Sequence, residues 1–388
     1  MSQPKACPRI LFVTPVSPFS CASGSEQRSM LMLSALSSVG QVDVLQLRHG
    51  ESAQVSVDDQ NGQRSVLALV EGADLAFSRY RPKTDLTRNI EQALGCEMSD
   101  YQFIVGRYVW AVCQLVIPDT MPVIVDLDDF RYRYSPESRW SWAALKERLA
   151  KAFAHRLVCR QLKRFDGAFV VSAQDRREIS SLPTAFLPNV SLSTCVDPTP
   201  VPHSKNVLFV GSLWYRPNAD AVDWFLSHVW PQVHAQESEA TLTLVGAAPQ
   251  STRARWAIHP GVSAPGFVDD LAATYQCANL VVVPIHSGGG TNIKVLETMA
   301  HGRPCLVSSF VAKAFDGHLS DNRELLVANN AQEFSSKTLA ALGMQDNLQG
   351  VADAGYLAAG KYFTRSIFKL RVTDFVQQVL LNKVDFND

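Results

Sequence analysis

The 388-residue sequence has no excess of either charge, no long apolar run and no closely spaced pair of cysteines. Its formal net charge of -1 supplies no broad field to attract nucleic acid, so any phosphate recognition must be local. No segment approaches the roughly 18 consecutive apolar residues that span a bilayer, and the short run at 10–13 is no secretory signal. The eight scattered cysteines fit neither zinc sites nor a disulfide scaffold. We therefore expect free thiols in a reducing, cytoplasmic compartment, and no nucleic-acid partner.

The sequence does contain a repeated alternation of strand and helix patterns. Residues 9–16 are a continuous apolar run, followed by a loop rich in glycine and serine and by a helical stripe at 30–36. Further strand patterns lie at 42–47, 103–105, 123–125 and 167–171. This alternation predicts an α/β, doubly wound, Rossmann-like domain over residues 1–190.

A second domain of the same type is predicted over residues 203–361. A proline-rich segment at 183–202 favours an interdomain linker, and strand patterns resume at 206–210, 241–245, 280–283 and 305–307. The length suits two domains with a cleft between them. The tail, 362–388, has one apolar helical face and is predicted to pack back on the first domain.

The most informative segment is HSGGGTNIKVLETMAHGRP, residues 286–304, directly after a strand pattern. Consecutive glycines let backbone amides approach an anion, and the start of the next helix presents unpaired N–H groups. The apolar spacing starts that helix near Thr291 or Asn292. The segment therefore predicts a diphosphate site, with binding residues Gly288, Gly289, Gly290, Thr291, Asn292 and Ile293.

Lys294 falls in the first turn of this predicted helix, where a cation opposes the helix dipole. A bound anion would remove that conflict. Glu297 lies one turn further on and could accept hydrogen bonds from ribose hydroxyls. The alternative is a surface Lys–Glu pair on an ordinary helix.

These motifs resemble the GT-B glycosyltransferases, specifically retaining family 4, whose loop and helix read approximately EGFGLPPLEAMAxGxPVV. The segment GGTNIKVLETMAHGRPCLV aligns with it. The resemblance implies two Rossmann-like domains facing across a cleft, and places Glu297 at the second family Glu, which binds the donor ribose. Gly290 to Ile293 fall where backbone amides meet the diphosphate and sugar. The first family Glu, which holds the donor sugar, is replaced by Gly289.

The segments FVGSLWYRPNADAVDWF and APGFVDD extend the resemblance through the second domain. Ser212 and Asn218 stand where the family usually has an Arg and a Lys on the donor phosphates, so Arg216 and Lys294 are the cations that could replace them. A solvated Arg216 and a tight strand-to-helix turn at Gly266 are the alternatives. The donor contacts implied here are Gly211, Ser212, Arg216, Asn218, Gly266 and Val268.

In the first domain the resemblance implies that Gly24, with Ser25 and Arg28 beside it, approaches the diphosphate and acceptor. A plain strand-to-helix turn is the alternative. Asp126, Asp128 and Asp129, in the sequence VDLDDF, resemble the Asp-x-Asp metal motif of another glycosyltransferase fold. GT-B enzymes usually stabilise the leaving diphosphate with cations and helix ends, so we expect no metal. Asp126 could face the acceptor from a strand end or lie in a solvated turn.

The helical pattern at 140–164 carries seven lysines and arginines beside apolar residues. It could lie on an anionic membrane, giving a peripheral inner-membrane contact that suits a lipid-linked acceptor. The alternative is an ordinary domain helix with a solvated face. In the glycine-rich loop, His286 could donate to a substrate oxygen, although no Ser/His/Asp set supports nucleophilic hydrolysis.

The expected activity is retaining transfer of a hexosyl group (EC 2.4) from a nucleoside diphosphate-sugar to a hydroxyl of a glycan or lipid-linked acceptor, without another cofactor. Lys294, Arg216 and Glu297 are the predicted catalytic set, and bacterial polysaccharide or glycoconjugate biosynthesis is the expected setting. A GT-B sugar-nucleotide epimerase and a catalytically silent nucleotide-sugar-binding protein are the alternatives. The sequence leaves open the base, the linkage and the oligomeric state.

Overall fold

In a computed structural model, the described residues are 8–21, 23–50, 54–60, 63–71, 80–128, 130–135, 142–191, 197–343 and 345–385. The chain divides into two compact units. The first comprises described residues of 1–131, 140–188 and 365–388, and the second those of 132–139 and 189–364. The described residues 132–135, inside the range predicted for the first domain, thus belong to the second unit.

The elements are numbered in chain order. The strands are β1 (Arg9–Thr14), β2 (Gln41–Gly50), β3 (Gln54–Gln60), β4 (Gln63–Glu71), β5 (Phe103–Arg107), β6 (Val123–Leu127), β7 (Arg133–Tyr134), β8 (Gly167–Val170), β9 (Thr184–Phe186), β10 (Asn206–Val210), β11 (Thr241–Val245), β12 (Val262–Gly266), β13 (Leu280–Val283), β14 (Ser287–Gly288), β15 (Cys305–Ser308) and β16 (Leu326–Ala328). The α-helices are α1 (Gly24–Leu36), α2 (Thr84–Leu94), α3 (Val109–Cys113), α4 (Trp142–Gln161), α5 (Ala173–Glu178), α6 (Arg216–His228), α7 (Trp230–Gln236), α8 (Gln250–Ala257), α9 (Leu271–Gln276), α10 (Ile293–Ala300), α11 (Ser309–Ala312), α12 (Ala331–Gly343), α13 (Gln345–Tyr362) and α14 (Arg365–Asp385).

The sheet of the first unit has the strand order β3-β4-β2-β1-β5-β6-β8-β9. Its pairs are parallel except for β3 with β4. Apolar residues of the central strands are almost fully buried, as expected of a parallel sheet covered on both faces. Strands β3 and β4 are not among those predicted above: β3 reads QVSVDDQ and lacks a continuous apolar run, whereas β4 contains the apolar run VLALV.

Helix α14 belongs to the first unit, where it packs against α1 and the sheet. The ring of Phe375 lies 5.0 Å from that of Phe169 on β8. Within the segment predicted as a linker, Thr184–Phe186 forms the edge strand β9 directly after Pro183. A proline is tolerated there because the residue before an edge strand need not donate to the ladder.

The sheet of the second unit has the strand order β12-β11-β10-β13-β15-β16, and all its pairs are parallel. Strands β11 and β12 follow one another on one side of β10, and the next strand in the sequence, β13, lies on the other side of β10. The order therefore reverses between β10 and β13. Parallel sheets in both halves confirm the predicted α/β fold class.

Candidate donor-binding site in the second unit

The strand-order reversal between β10 and β13 places the predicted donor residues in one region of the second unit. In open parallel sheets the loops that follow the two strands at such a reversal run to opposite faces of the sheet, which leaves a crevice for ligands at the carboxyl ends of the strands. Gly211 follows β10, and the glycine-rich loop follows β13. Helix α10 begins directly after that loop. Sequence segments about 80 residues apart are thus brought together at the carboxyl ends of neighbouring strands.

The glycine-rich loop has a backbone that explains its composition. Gly288 has φ 143° and Gly290 has φ 71°, conformations that residues with a side chain rarely adopt. Helix α10 starts at Ile293 with Asn292 as N-cap, which confirms the predicted helix start. Asn292 makes no side-chain capping hydrogen bond. The first N–H groups of α10 can therefore bind an anion.

A chain of hydrogen bonds holds Lys294 at the carboxyl end of β10. Its Nζ donates to Asn218 Oδ1 at 2.8 Å, and Asn218 Nδ2 donates to the carbonyl oxygen of Ser212 at 2.9 Å. Nζ also lies 5.6 Å from the centre of the Phe209 ring, a cation–π distance. Asn218 is buried, so its amide fixes the lysine relative to the loop after β10.

Burial perturbs both charged groups at the start of α10. It lowers the pKa of Lys294 to about 8, although the attraction of Glu297 opposes the shift. Burial likewise raises the pKa of Glu297, against the attraction of Lys294. Both side chains are partly buried, so the charged form of each is disfavoured. A bound anion near Lys294 would favour its charged form.

Three glycines at neighbouring strand ends let the backbones meet closely. A Cβ on Gly246, whose φ is 140°, would lie 1.7 Å from the carbonyl oxygen of Gly211. A Cβ on Gly211 would lie 3.1 Å from Lys294 Cε. Gly266 has φ 93° and packs against the Arg253 guanidinium. Sequence reasoning found Gly211 and Gly266 but missed Gly246, because no local motif marks a contact between residues 35 positions apart.

His286 is buried in a polar and aromatic pocket of the second unit. Its Nδ1 lies 3.2 Å from Ser135 Oγ, and its ring meets that of Trp224 edge-on at 4.4 Å. Burial, with a contribution from His228, lowers the pKa of His286 to about 4. The imidazole is therefore neutral at pH 7, so it can both donate and accept hydrogen bonds.

A short antiparallel ladder explains how Ser135 reaches this pocket. Strand β7 pairs with β14, so Tyr134 faces Ser287 and Arg133 faces Gly288. The amide of Ser135 also donates to the carbonyl oxygen of His286 at 2.8 Å. This ladder orders the glycine-rich loop, and no local sequence signal could have revealed it.

The remaining donor-side predictions lie around this core. Arg216 is exposed at the first residue of α6 and pairs with Asp220 at 3.4 Å. Val268 packs on a cluster of buried apolar residues that includes side chains of β10, β11 and β13. The carbonyl oxygen of Thr291 accepts from Asn189 Nδ2 at 3.4 Å. Gly289 is exposed at the tip of the loop.

In the first unit, Asp126 and Arg28 form a buried ion-pair network. Arg28 donates to both carboxylate oxygens of Asp126, at 2.8 and 2.5 Å, and Arg107 Nε donates to one of them at 3.1 Å. Arg107 also pairs with Asp128. A fully buried carboxylate held by two guanidiniums does not lie in the solvated turn considered above. Its predicted contact with the acceptor stays a prediction.

Gly24 and Ser25 open α1 beside this network. Ser23 caps the helix in a capping box with Glu26, and Gly24 is the first helical residue. Ser25 Oγ lies 3.2 Å from the hydroxyl of Tyr108, whose φ of 63° is strained for a residue with a side chain. Strained residues concentrate at functional sites, and no motif in the sequence marks Tyr108.

In the described part of the chain, no three His, Cys, Asp or Glu side chains converge in a way that would hold a metal ion.

Comparison with known proteins links the second unit to a family. Residues 204–343 match the model of a family described as glycosyl transferases group 1. A segment of 165 residues is 24% identical to an uncharacterized 44.6 kDa protein in the cps region of Klebsiella pneumoniae, spanning 40% of this chain and 41% of that protein.

Solved structures extend the likeness to nearly the whole chain. Sucrose-phosphate synthase from Thermosynechococcus elongatus superposes with a TM-score of 0.68 at 16% identity, over 97% of this chain and 100% of that one. A trehalose-6-phosphate structure from E. coli bound with UDP-2-fluoro glucose superposes with a TM-score of 0.60 at 11% identity, over 96% and 99%. The fold is GT-B. Residues 204–343 of the second unit resemble the group 1 glycosyl transferase domain.

Proposed function

We propose that this GT-B protein is a retaining, family 4 glycosyltransferase. It would transfer a hexosyl group from a nucleoside diphosphate-sugar to a hydroxyl of a glycan or lipid-linked acceptor. The observation that carries the proposal is the meeting of Lys294, the start of α10 and the glycine-rich loop at the strand-order reversal of the second unit. The family match over residues 204–343 covers the same elements.

The donor diphosphate would bind at the start of α10. There the unpaired N–H groups and the Lys294 ammonium supply positive charge in a half-buried setting, where solvent screens it weakly. Gly288 and Gly290 allow the loop backbone to follow the phosphates closely. Glu297, one turn along α10, would accept hydrogen bonds from the ribose hydroxyls, as the family resemblance implies.

The chemistry would depend on stabilising the departing diphosphate. The bond between the anomeric carbon and the diphosphate oxygen breaks, and the acceptor oxygen bonds to that carbon on the same face. The acceptor proton passes to the leaving diphosphate. Lys294, the start of α10 and Arg216 from the start of α6 would hold the charge that develops, so we propose that no metal is needed.

Selectivity for the donor sugar would come from groups other than the first family Glu, because Gly289 occupies that position. His286 is one such group: it is neutral at pH 7, and Ser135 and Trp224 fix its ring. The first unit would contribute the acceptor side, with Gly24, Ser25 and Arg28 near the strained Tyr108. The proposed setting is bacterial polysaccharide or lipid-linked glycan assembly in the cytoplasm.

The ribose role of Glu297 is tested by Glu297→Ala. A charge-assisted hydrogen bond contributes about 1.5–3 kcal/mol, so affinity for the preferred nucleoside diphosphate should fall roughly 10- to 100-fold in calorimetry. That nucleotide is found first by screening UDP, GDP and their sugars for thermal stabilisation. The control is Glu239→Ala, which removes an exposed carboxylate in a surface pair with Lys205. Equal affinity of Glu297→Ala and the control would exclude the ribose role.

The alternatives are separated by product analysis. An epimerase would convert the sugar nucleotide without an acceptor. A silent binding protein would bind the nucleotide and release no diphosphate with any acceptor offered.

A further inference from the structure

The sheet of the first unit also reverses its strand order, and the buried ion-pair network lies at that reversal. Strand β2 lies beside β1 on one side, and β5 lies on the other side. Arg107 is the last residue of β5, and Asp128 directly follows β6, the neighbour of β5. In open parallel sheets, ligands bind in the crevice at the carboxyl ends of the strands beside such a reversal. The network therefore lies where a ligand of the first unit is expected.

Arg107 has no hydrogen-bond donor left for a ligand. Its side chain is fully buried, and each of its five N–H groups donates to a protein acceptor. The acceptors are Asp126 Oδ2 at 3.1 Å, the carbonyl oxygen of Ser25 at 2.6 Å, Ser29 Oγ at 2.5 Å, Ser25 Oγ at 3.4 Å and Asp128 Oδ2. Arg28, which supplies the second guanidinium, is only 1% exposed. An anion that approached the network would therefore meet no accessible guanidinium N–H group.

Asp128 differs from Asp126 because one of its oxygens accepts no hydrogen bond from a described residue. Both oxygens of Asp126 accept from guanidiniums, and its side chain is fully buried. The side chain of Asp128 is 11% exposed, and its Oδ2 atom is the one that contacts Arg107 and Arg28. The other oxygen, Oδ1, is buried and accepts none. Because a carboxylate oxygen removed from water needs a hydrogen-bond donor, Asp128 Oδ1 indicates a ligand that supplies one.

The charges of the network indicate that this ligand is neutral. The two carboxylates balance the two guanidiniums, so the four side chains together have no net charge. A phosphate would approach the Asp128 carboxylate without an accessible guanidinium N–H group to offset the repulsion. An ammonium would in turn be repelled by the guanidiniums that the same carboxylates bind. A hydroxyl group supplies the required donor and adds no charge.

Two protein hydroxyl groups lie close to Asp128. Ser25 Oγ accepts from the same Nη2 atom of Arg107 as Asp128 does, and it lies 3.2 Å from the Tyr108 hydroxyl. The positive φ of Tyr108, 63°, is a strained conformation of the kind that concentrates at binding sites. Because a hydroxyl group both donates and accepts hydrogen bonds, Ser25, Tyr108 and Asp128 together complement neighbouring hydroxyls of a sugar ring.

We propose that Asp128 Oδ1 accepts a hydrogen bond from a hydroxyl of the acceptor sugar, and that this contact selects an acceptor ring without a phosphate group at that position. The inference rests on the proposed transferase function and names the class of acceptor. Asp128 orients the acceptor, and Asp126 holds both guanidiniums in place. The acceptor proton still passes to the leaving diphosphate, so Asp128 takes up no proton.

Binding of simple glycosides to the full chain, titrated by saturation-transfer NMR without any nucleotide, tests the proposal. The probes are the methyl glycosides of glucose, galactose, mannose and N-acetylglucosamine, each compared with its 6-phosphate. The wild type should bind at least one neutral glycoside. It should bind the matching 6-phosphate at least about tenfold more weakly, because the carboxylate repels the phosphate.

Asp128→Asn changes the chemistry of this contact. Its carbonyl oxygen can still accept from Arg107, whereas its NH2 group takes the place of Oδ1, and the network gains a net positive charge. Affinity for the neutral glycoside should fall roughly tenfold, because a charge-assisted hydrogen bond is lost. The ratio of the two dissociation constants should shrink to below about threefold, because the phosphate is no longer repelled. A purely structural role would weaken both ligands equally and leave the ratio unchanged.

The matched control is Asp119→Asn, which removes an exposed carboxylate of the same unit and should change neither dissociation constant. Thermal unfolding verifies that each variant is folded, and the wild-type comparison requires no variant. The proposal is overturned if no neutral glycoside binds the wild type saturably, if a 6-phosphate binds it more tightly than the neutral glycoside, or if Asp128→Asn and the control give equal ratios. Release of a nucleoside diphosphate from sugar nucleotides is measured separately. A protein that binds glycosides through Asp128 and transfers nothing would fail the proposed function alone.

Discussion

Binding of a nucleoside diphosphate to the wild-type protein should weaken between pH 7 and pH 9, because Lys294 loses its proton over that range. Burial lowers the pKa of this lysine from 10.5 to about 8 by disfavouring the charged form. The charged fraction is then about nine-tenths at pH 7 and about one-tenth at pH 9. If only the ammonium binds the diphosphate, the dissociation constant should rise about tenfold, or about 1.4 kcal/mol.

Titration calorimetry at several pH values measures this change directly. Lys294→Arg is the matched control, because a guanidinium stays charged throughout the range and reports any titration of the nucleotide itself. Its affinity should stay nearly constant. Lys294→Met should bind weakly at every pH. A wild-type dissociation constant that follows the Lys294→Arg series from pH 7 to pH 9 would refute the role assigned to Lys294.

The structure supports three predictions of stability, each measured by urea unfolding. Gly246→Ala should cost at least about 2 kcal/mol, because its Cβ would overlap a carbonyl oxygen at a backbone φ of 140°. The control Gly360→Ala, in open space on α13, should stabilise the protein by up to about 1 kcal/mol. Equal effects of the two substitutions would contradict the close backbone approach at Gly246. Asp126→Asn should cost about 3–5 kcal/mol, because it removes the carboxylate that two buried guanidiniums share and leaves Asp128 as their remaining counterion; a loss below about 1 kcal/mol would disprove the buried network. The pKa of His286 is about 4 in the folded state against an ordinary 6.5, so its contribution to the free energy of unfolding is complete above about pH 6.5 and declines by up to about 3 kcal/mol as the pH falls to 4. The free energy of unfolding of His286→Asn should therefore depend less steeply on pH in this range. An unchanged slope would show that the imidazole is not desolvated.

Much of the fold could be predicted because the signals for it are local. The buried strands β1, β10 and β13 read RILFVT, NVLFV and LVVV, and continuous apolar runs of that length are typical of parallel sheets. The start of α10 was placed correctly from its apolar spacing. Strand β3 was not predicted because polar residues interrupt it; β4 contains the apolar run VLALV and pairs in parallel with β2, yet it was not among the predicted strands either.

Local sequence patterns predict only part of the candidate site. Three consecutive glycines before a helix predict an anion-binding loop from local sequence alone. The partner of Lys294 could not be predicted, since Asn218 lies 76 positions away. The lowered pKa of His286 could not be predicted from the sequence either, because it depends on burial beside Trp224 and Ser135.

The amino-acid order alone dictated the alternation of elements, the glycine-rich loop and the helix that follows it, because hydrophobic period, capping and backbone freedom act over a few residues. Three-dimensional packing determined which charges lost water and which backbones touched. It surrounded Asp126 with two arginines from α1 and β5, paired β7 with the glycine-rich loop and brought Gly246 against Gly211. Desolvation and steric contact depend on what lies nearby in space, and residues far apart in the chain become neighbours only once the sheets have formed.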